Sequence, residues 1–176
     1  MKILPKIILV AAALAPSLLV AENVTKNWTP PAYKINAQVL SEGIMASHPE
    51  LLSVTFHGVP PGMTKTYTMF AGSYVDRIGN PDDPDDIMIS ELGITILDSR
   101  WHRMKDPAKK FVMMMPLRDA AGNDLGLLVA AYKNPDFSPD VTSSAQEAKF
   151  FAMGTKLRDD LQQKIPSYAW LFEPAG

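Results

Sequence analysis

The spacing of apolar residues along the chain predicts a mixture of helices and antiparallel strands. Apolar residues recur at helical spacing over 32–47, and Pro49 follows this run, which predicts a first helix. Apolar and polar residues alternate over 51–57 and again over 66–71, with Pro60-Pro61-Gly62 between the two runs. This pattern is typical of two half-buried strands joined as a hairpin, with the polar side chains, His57 among them, on the exposed face.

Three further strands are predicted after a long connection. Residues 94–101 form the third, and residues 110–117 and 125–133 flank a short turn that contains Gly122 and Asn123. A Gly-Asn pair can supply the positive backbone dihedrals that a tight reversal needs, so the last two runs are predicted to pair as a hairpin.

Both faces of this last hairpin are apolar. In its first arm one face carries Phe111, Met113, Met115 and Leu117, and the other carries Val112 and Met114. A sheet that is apolar on both sides needs a layer on each side. The connection over 72–93 is the only long one, so we expect it to cover one face.

An acidic stretch, Asn80-Pro81-Asp82-Asp83-Pro84-Asp85-Asp86, lies within this connection. Carboxylates suit calcium, but no register supplies the ligand spacing of an EF-hand loop. A short helix explains the stretch better, with Asp83 as its cap, Pro84 at its first position and Gly93 at its end.

The chain is predicted to close with a long helix over 141–165, which Pro166 ends. Its apolar stripe is predicted to consist of Ala145, Ala148, Ala152, Leu157, Leu161 and Ile165. The aromatic tail that follows, with Tyr168, Trp170 and Phe172, is expected to fold back onto the body.

The first 21 residues have the layout of a secretory signal peptide. Two lysines, Lys2 and Lys6, precede an apolar run of about 14 residues, which is shorter than the roughly 20 needed to span a bilayer. We therefore expect a signal peptide over 1–21, a lead-in over 22–32 and one domain over 33–176. The expected location is periplasmic or secreted, with no membrane span after signal cleavage.

Composition and charge narrow the functional classes. The 176 residues include no cysteine, which excludes thiolate metal sites and cysteine nucleophiles, and the 47% apolar content is that of an ordinary globular protein. Removing residues 1–21 takes away two lysines and no acidic residue, so the formal net charge moves from −2 to −4. No basic stripe remains for nucleic acid. Hydrolase, zincin and phosphate-loop motifs are absent, so we predict neither an enzyme nor a cofactor.

Several short motifs together resemble one family. They are His48-Pro49-Glu50-Leu51, Arg77-Ile78-Gly79, Pro116-Leu117-Arg118-Asp119 with Gly122, Leu125-Gly126, and Leu171-Phe172. In this order they resemble the stand-alone exported sensor domains of the PAS-like Cache (PDC) group. The resemblance implies an α+β fold, a PAS-like single Cache domain that consists of a five-stranded antiparallel sheet with an N-terminal helix and a C-terminal helix.

The resemblance also implies a small-molecule ligand, held between the sheet and the connection over 72–93. Ligands of this group are commonly short carboxylates, amino acids or related metabolites, and a guanidinium suits a carboxylate. The candidate ligand-binding residues are Arg77, as the best single candidate, with His57, Tyr67, Tyr74, Arg100, Trp101 and Met113. Amino-acid-binding members of the larger group have one residue between their arginine and tryptophan, whereas Arg100 and Trp101 are adjacent. The implied partner is a membrane-bound receptor or kinase.

Two other functions stay open at this point. Ten methionines, including Met113-Met114-Met115, together with His57 and His102, suggest a periplasmic copper-handling protein with Met and His ligands. Strand alternation separates Met114 from its two neighbours, and methionine also fills apolar gaps, which favours core packing. A protein–protein adaptor would be favoured if the aromatic tail were exposed as a docking strip.

Overall fold

The computed structural model describes residues 24–99, 109–136 and 143–176. The described residues form one antiparallel sheet with strand order β2-β1-β5-β4-β3 and helices on both faces. The elements in chain order are α1 (Asn36–Ser47), β1 (Leu51–Gly58), β2 (Thr68–Gly72), a 3₁₀ turn (Val75–Arg77), α2 (Pro84–Leu92), β3 (Ile96–Asp98), β4 (Lys110–Arg118), β5 (Asp124–Lys133), α3 (Ser144–Gln162) and α4 (Tyr168–Leu171). The expected α+β fold, a five-stranded antiparallel sheet with an N-terminal and a C-terminal helix, is confirmed.

The hairpin of β4 and β5 lies inside the sheet, with β1 on one side of it and β3 on the other. Its turn is organised by the Asp119 carboxylate, which accepts hydrogen bonds from the backbone N–H groups of Ala121 (3.0 Å) and Asn123 (2.9 Å). Gly122 has a φ of +87°, but Asn123 does not share this conformation; its side chain instead donates to Asp119. The hairpin is therefore confirmed, whereas the dihedral role expected of Asn123 is wrong.

The first face of the sheet carries the larger core, covered by α1, α3 and the C-terminal tail. The buried face of α3 consists of Phe150, Gly154, Leu157 and Leu161. The predicted alanine stripe is wrong in its first half, because the alanines at 145, 148 and 152 are exposed. Phe150 stacks on Phe111 with ring centroids 4.5 Å apart, and this aromatic contact sets the rotation of the helix.

The second face carries a smaller core beneath α2. Ile89 of α2 is 2% exposed and packs with Val112, Met114, Leu127 and Ala131 of the sheet. Pro84 opens the helix and Gly93 ends it in the left-handed conformation, as expected, although the side chain of Asp83 does not cap the helix. The connection between β2 and β3 therefore covers this face, as the two-sided hairpin predicted.

The C-terminal tail folds onto the first face, as expected. The Tyr168 hydroxyl donates to the Val59 carbonyl at 2.6 Å, and the Phe172 ring lies 4.8 Å from the Phe70 ring between centroids. Because these aromatic side chains are at least partly buried against the body, they do not form the exposed docking strip that would favour an adaptor.

The segment over 24–34 has no helix or strand, yet it is held on the body. The backbone N–H groups of Asn27 and Trp28 both donate to the Gly79 carbonyl, at 2.9 and 3.3 Å. The Trp28 ring also meets the Phe172 ring edge to face. Within the described residues, none of the helices combines the length and the apolar character that crossing a membrane requires.

Candidate functional site

A cavity of about 320 Å³ lies between the second face of the sheet and the β2–β3 connection. The sheet contributes the floor, and the connection, through its 3₁₀ turn and the start of α2, contributes the cover. The lining residues from the sheet are Ser53, Thr55, His57, Met69, Lys110, Val112, Met114, Val129 and Ala131, and those from the cover are Tyr74, Asp76, Arg77, Asp83, Asp85 and Asp86.

Three polar side chains of β1 face this cavity. Successive side chains of a strand point to opposite faces, so Ser53, Thr55 and His57 share one face. They are only 6%, 7% and 8% exposed, because the β2–β3 connection covers them. The expectation that His57 lies on an exposed face is therefore wrong: its face of the strand turns towards an internal cavity.

A hydrogen-bonded series links this strand to the cover. The Nδ1 atom of His57 lies 2.7 Å from Oδ1 of Asp82, and its Nε2 atom lies 2.7 Å from Oγ1 of Thr55. An ionised carboxylate can only accept, so Nδ1 carries a proton. In a neutral imidazole Nε2 then accepts, and the Thr55 hydroxyl donates to it.

Asp82 reaches His57 because the connection first runs back along β2. The Met69 N–H donates to Asn80, the Gly79 N–H donates to Met69, and the Asp82 N–H donates to Tyr67, each time to the backbone carbonyl. This pairing leaves the Asp82 side chain 1% exposed behind the imidazole. Its second oxygen, Oδ2, is buried without a hydrogen-bond partner among the described residues.

The start of α2 brings three carboxylates to the cavity. One oxygen atom of each of Asp83, Asp85 and Asp86 lies within 4.8 Å of the others, a spacing that a hard cation could bridge. Asp83 and Asp85, like the buried Lys110, have interaction partners of their own. Burial raises the pKa of Asp86 and the neighbouring aspartates add to this, while His57 opposes it.

Arg77 is the exposed cation at the mouth of the cavity. Its guanidinium carbon lies 5.4 Å from the centre of the Tyr74 ring, within the range of a cation–π contact. No ion pair holds Arg77 within the described residues. Its hydrogen-bond donors are therefore available to an anion at the mouth.

The structure brings together three of the seven residues predicted from sequence. His57, Tyr74 and Arg77 line the cavity. Tyr67 lies in a separate groove beside Glu91, to which its hydroxyl donates at 3.0 Å, and burial raises its pKa. Met113 lies on the first face of the sheet, fully buried against Gly154, so it does not reach the cavity. Arg100 and Trp101 lie outside the described residues.

The methionine triplet is divided between the two faces, as alternation predicts. Met113 and Met115 belong to the larger core, while Met114 and Met69 line the cavity near His57. Both ring nitrogens of His57 already have hydrogen-bond partners, which leaves no nitrogen lone pair for a copper ion without breaking one of them.

The site also contains residues that the sequence did not single out: Ser53, Thr55, Asp82 and Asp86. Ser53 and Thr55 could have been found from the sequence, because they are polar residues two positions apart on one face of a predicted strand. Asp82 and Asp86 belong to the acidic stretch that the sequence assigns to a helix start in preference to a calcium loop. Nothing local in the sequence indicates that the connection runs back along β2 and delivers Asp82 to His57.

A hydroxyl, an imidazole and a carboxylate in series have the connectivity of an acyl-transfer triad. Such chemistry also needs N–H donors aimed at a developing oxyanion. β1 pairs with β2 on one side and β5 on the other, so the sheet ladders engage its backbone. Close to Thr55, the Val54 N–H donates to Ser73. The series is better suited to fixing the orientation of Thr55 than to acyl transfer.

No protein-family model matches the chain, and no curated protein matches it in sequence. Among solved structures, it is similar to the E. coli DcuS sensor domain, with a TM-score of 0.39, 17% identity, and coverage of 55% of this chain and 65% of that one. It is also similar to a GAF domain from an Acinetobacter phosphoenolpyruvate-protein phosphotransferase, with a TM-score of 0.43, 10% identity, and coverage of 74% of this chain and 84% of that one. A third similar structure is a type II free methionine-R-sulfoxide reductase from Thermoplasma acidophilum, with a TM-score of 0.43, 13% identity, and coverage of 73% of this chain and 92% of that one.

Proposed function

We propose that this protein is an exported, non-enzymatic sensor domain of the single-Cache type that binds a short carboxylate or a similar metabolite. The supporting observation is the covered cavity of about 320 Å³ on one face of the sheet, with a guanidinium at its mouth. A concave site with apolar walls and a few polar groups is the usual form of a small-molecule site. The ligand state would pass to a partner such as a membrane-bound receptor or kinase.

Arg77 is the proposed anchor for the carboxylate. A guanidinium donates two parallel hydrogen bonds to a carboxylate, a geometry that lysine cannot offer. The Tyr74 ring beneath the guanidinium limits its motion, which lowers the entropy that ligand binding would otherwise cost. The apolar floor of Val112, Met114 and Val129 suits a short aliphatic chain.

The test is a thermal-shift screen of the purified protein with short mono- and dicarboxylates, followed by titration calorimetry. A ligand at a hundred times its dissociation constant adds about 2.7 kcal/mol, which raises the midpoint by roughly 5 to 10 °C for a domain of this size. We expect Arg77→Ala to weaken carboxylate binding by about tenfold to a hundredfold, the value of a charge-assisted hydrogen bond.

Arg158→Ala is the matched control. Arg158 also carries a guanidinium, but it lies on α3, on the other face of the sheet, and pairs with Asp159. Carboxylate affinity should stay within about twofold of the unmodified protein. An equal loss in both variants, or a carboxylate that binds Arg77→Ala as well as the unmodified protein, would contradict the assignment. A response to Cu(I) alone would support the copper alternative.

A further inference from the structure

We propose that the ligand of this cavity carries a primary ammonium group, and that Asp86 and Ser53 are the residues that bind it. The inference rests on the proposed function, because it names the chemistry of the inner end of the same site. It is carried by acceptor groups that line the cavity and have no partner of their own.

Asp86 is the first of these groups. It lines the cavity from the start of α2 and is partly buried. Its carboxylate makes no hydrogen bond or ion pair within the described part of the chain, unlike Asp83, Asp85 and Lys110, which have partners. A partly buried carboxylate with neither a hydrogen-bond donor nor an ion-pair partner is costly, and a ligand cation would reduce that cost.

Ser53 is an independent second observation, on the opposite wall of the cavity. It lies on β1, is only 6% exposed, and lines the cavity. Its hydroxyl also has no hydrogen-bond partner in the regions that the structure describes. A serine hydroxyl can donate one hydrogen bond and accept others, so a Ser53 hydroxyl that faces the cavity without a protein partner is available to a bound ligand.

Thr55 adds a third acceptor, on the same strand as Ser53. With a neutral His57, the Thr55 hydroxyl donates to Nε2, so the Thr55 oxygen offers only lone pairs to the cavity. Asp82 keeps the imidazole in this orientation from a position that is almost fully buried. An ammonium group has three N–H donors and no acceptor, and it therefore complements a carboxylate and two hydroxyl oxygens.

The charged groups around Asp86 favour a bound cation over a bound anion. His57 faces it from β1, Asp82, Asp83 and Asp85 adjoin it in sequence, and Lys110 lies across the cavity on β4. The aspartates oppose a further negative charge and favour a positive one. A ligand that carries both groups would place its carboxylate at Arg77 and its ammonium near Asp86.

The experiment compares pairs of compounds that differ in the ammonium group. Titration calorimetry is run with 4-aminobutyrate against butyrate, and with 1,4-diaminobutane against 1,4-butanediol. We expect the amine of at least one pair to bind about tenfold more tightly than its partner, as for a hydrogen bond to a charged group. The pair that responds tells whether the natural ligand is a zwitterion or a diamine.

Two variants assign the residues. Asp86→Asn should weaken amine binding by about tenfold or more and leave butyrate within about twofold, and Ser53→Ala should weaken amine binding by about threefold to tenfold. Asp136→Asn is the matched control, because it removes the same charge from an exposed position that does not line the cavity. It should change amine affinity by less than about threefold.

The outcomes separate this inference from the proposed function. Carboxylates that bind through Arg77 without any preference for the amine partner would overturn the ammonium assignment and leave the sensor proposal standing. Amine binding that survives Asp86→Asn and Ser53→Ala would overturn the assigned residues. A chelator-reversible shift with Ca²⁺ or Mg²⁺ and none with amines would identify the acidic group as a metal site instead. No response to any compound would overturn both.

Discussion

Asp86 is a carboxyl group whose folded environment disfavours its charge. Burial raises its pKa, and the adjacent aspartates contribute in the same direction. A carboxyl with a raised folded pKa binds its proton more tightly in the folded state than in the unfolded state. Its stabilising effect is therefore complete below the unfolded pKa, near 3.8, and is lost as the pH rises through the folded pKa.

We therefore expect Asp86→Asn to be more stable than the unmodified protein at pH 7 in the absence of ligand. The midpoint should rise by roughly 1 to 3 °C, and this advantage should shrink as the pH falls towards the unfolded pKa. Thermal unfolding followed by circular dichroism between pH 3 and pH 8 measures the effect. Asp76→Asn, at an exposed site, should show a smaller rise, and a less stable Asp86→Asn protein at pH 7 would contradict the burial argument.

For individual residues, the sequence predicted several members of the site but not the side chains that they contact. Arg77, Tyr74 and His57 were predicted as site residues from the resemblance and from the need for a cation and aromatic groups. The pairing of His57 with Asp82 spans 25 positions along the chain and depends on how the connection folds back. No local pattern encodes such a contact, because it arises from tertiary packing.

Among the elements, the β2–β3 connection depends on one glycine. Gly79 has a φ of +90°, and a Cβ atom built there would lie 2.2 Å from the Trp28 carbonyl oxygen. The backbone conformation and the close approach each exclude other residues, for separate reasons. The same peptide accepts the hydrogen bonds of Asn27 and Trp28, so it joins the cover of the cavity to the N-terminal segment.

We expect Gly79→Ala to lower the free energy of unfolding by about 2 to 4 kcal/mol, because it adds a steric clash to the backbone strain. Gly62→Ala separates the two effects: Gly62 has a similar φ of +82°, but nothing lies within 4 Å of a Cβ built there. It should cost only about 1 kcal/mol. Urea unfolding of both variants provides the comparison, and equal losses would show that the contact with Trp28 does not matter.

Element positions followed from local patterns where the pattern was dense. The β4–β5 hairpin was predicted within a residue or two, because apolar residues fill both arms and a turn signal separates them. The buried face of α3 was predicted wrongly in its first half, because the sequence allows either the alanines or Phe150 and Gly154 to face the core. A small residue is buried there because Met113 approaches Gly154 closely, and that contact comes from the sheet.

For the whole molecule, the C-terminal tail is part of the core. Leu171 is fully buried, and Phe172 packs on Phe70 of the sheet. The chain beyond it pairs with the start of α1 through the Ile35–Pro174 bridge and the bond from the Ala175 N–H to the Lys34 carbonyl. The tail therefore covers one end of the sheet.

Ending the chain after Pro166 should consequently destabilise the protein. Without Leu171 and Phe172 the protein loses apolar burial that stabilises the folded state by several kcal/mol. We expect the midpoint of thermal unfolding to fall by at least about 10 °C, or the protein to become insoluble. Removing Gly176 alone, which has no neighbour within 4 Å of a Cβ built there, should leave the midpoint unchanged. A truncated protein as stable as the full chain would refute the role of the tail in the core.

The bonds of Asn27 and Trp28 to Gly79 have a mechanical consequence. Trp28 also contacts Phe172, so the short N-terminal strip touches the cover of the cavity and the C-terminal tail at once. Arg77 lies two residues from that shared carbonyl. Direct contacts therefore join the cover to both terminal segments of the described chain. A displacement of the cover would shift those segments, and a partner bound at either of them would respond to the ligand without contacting it.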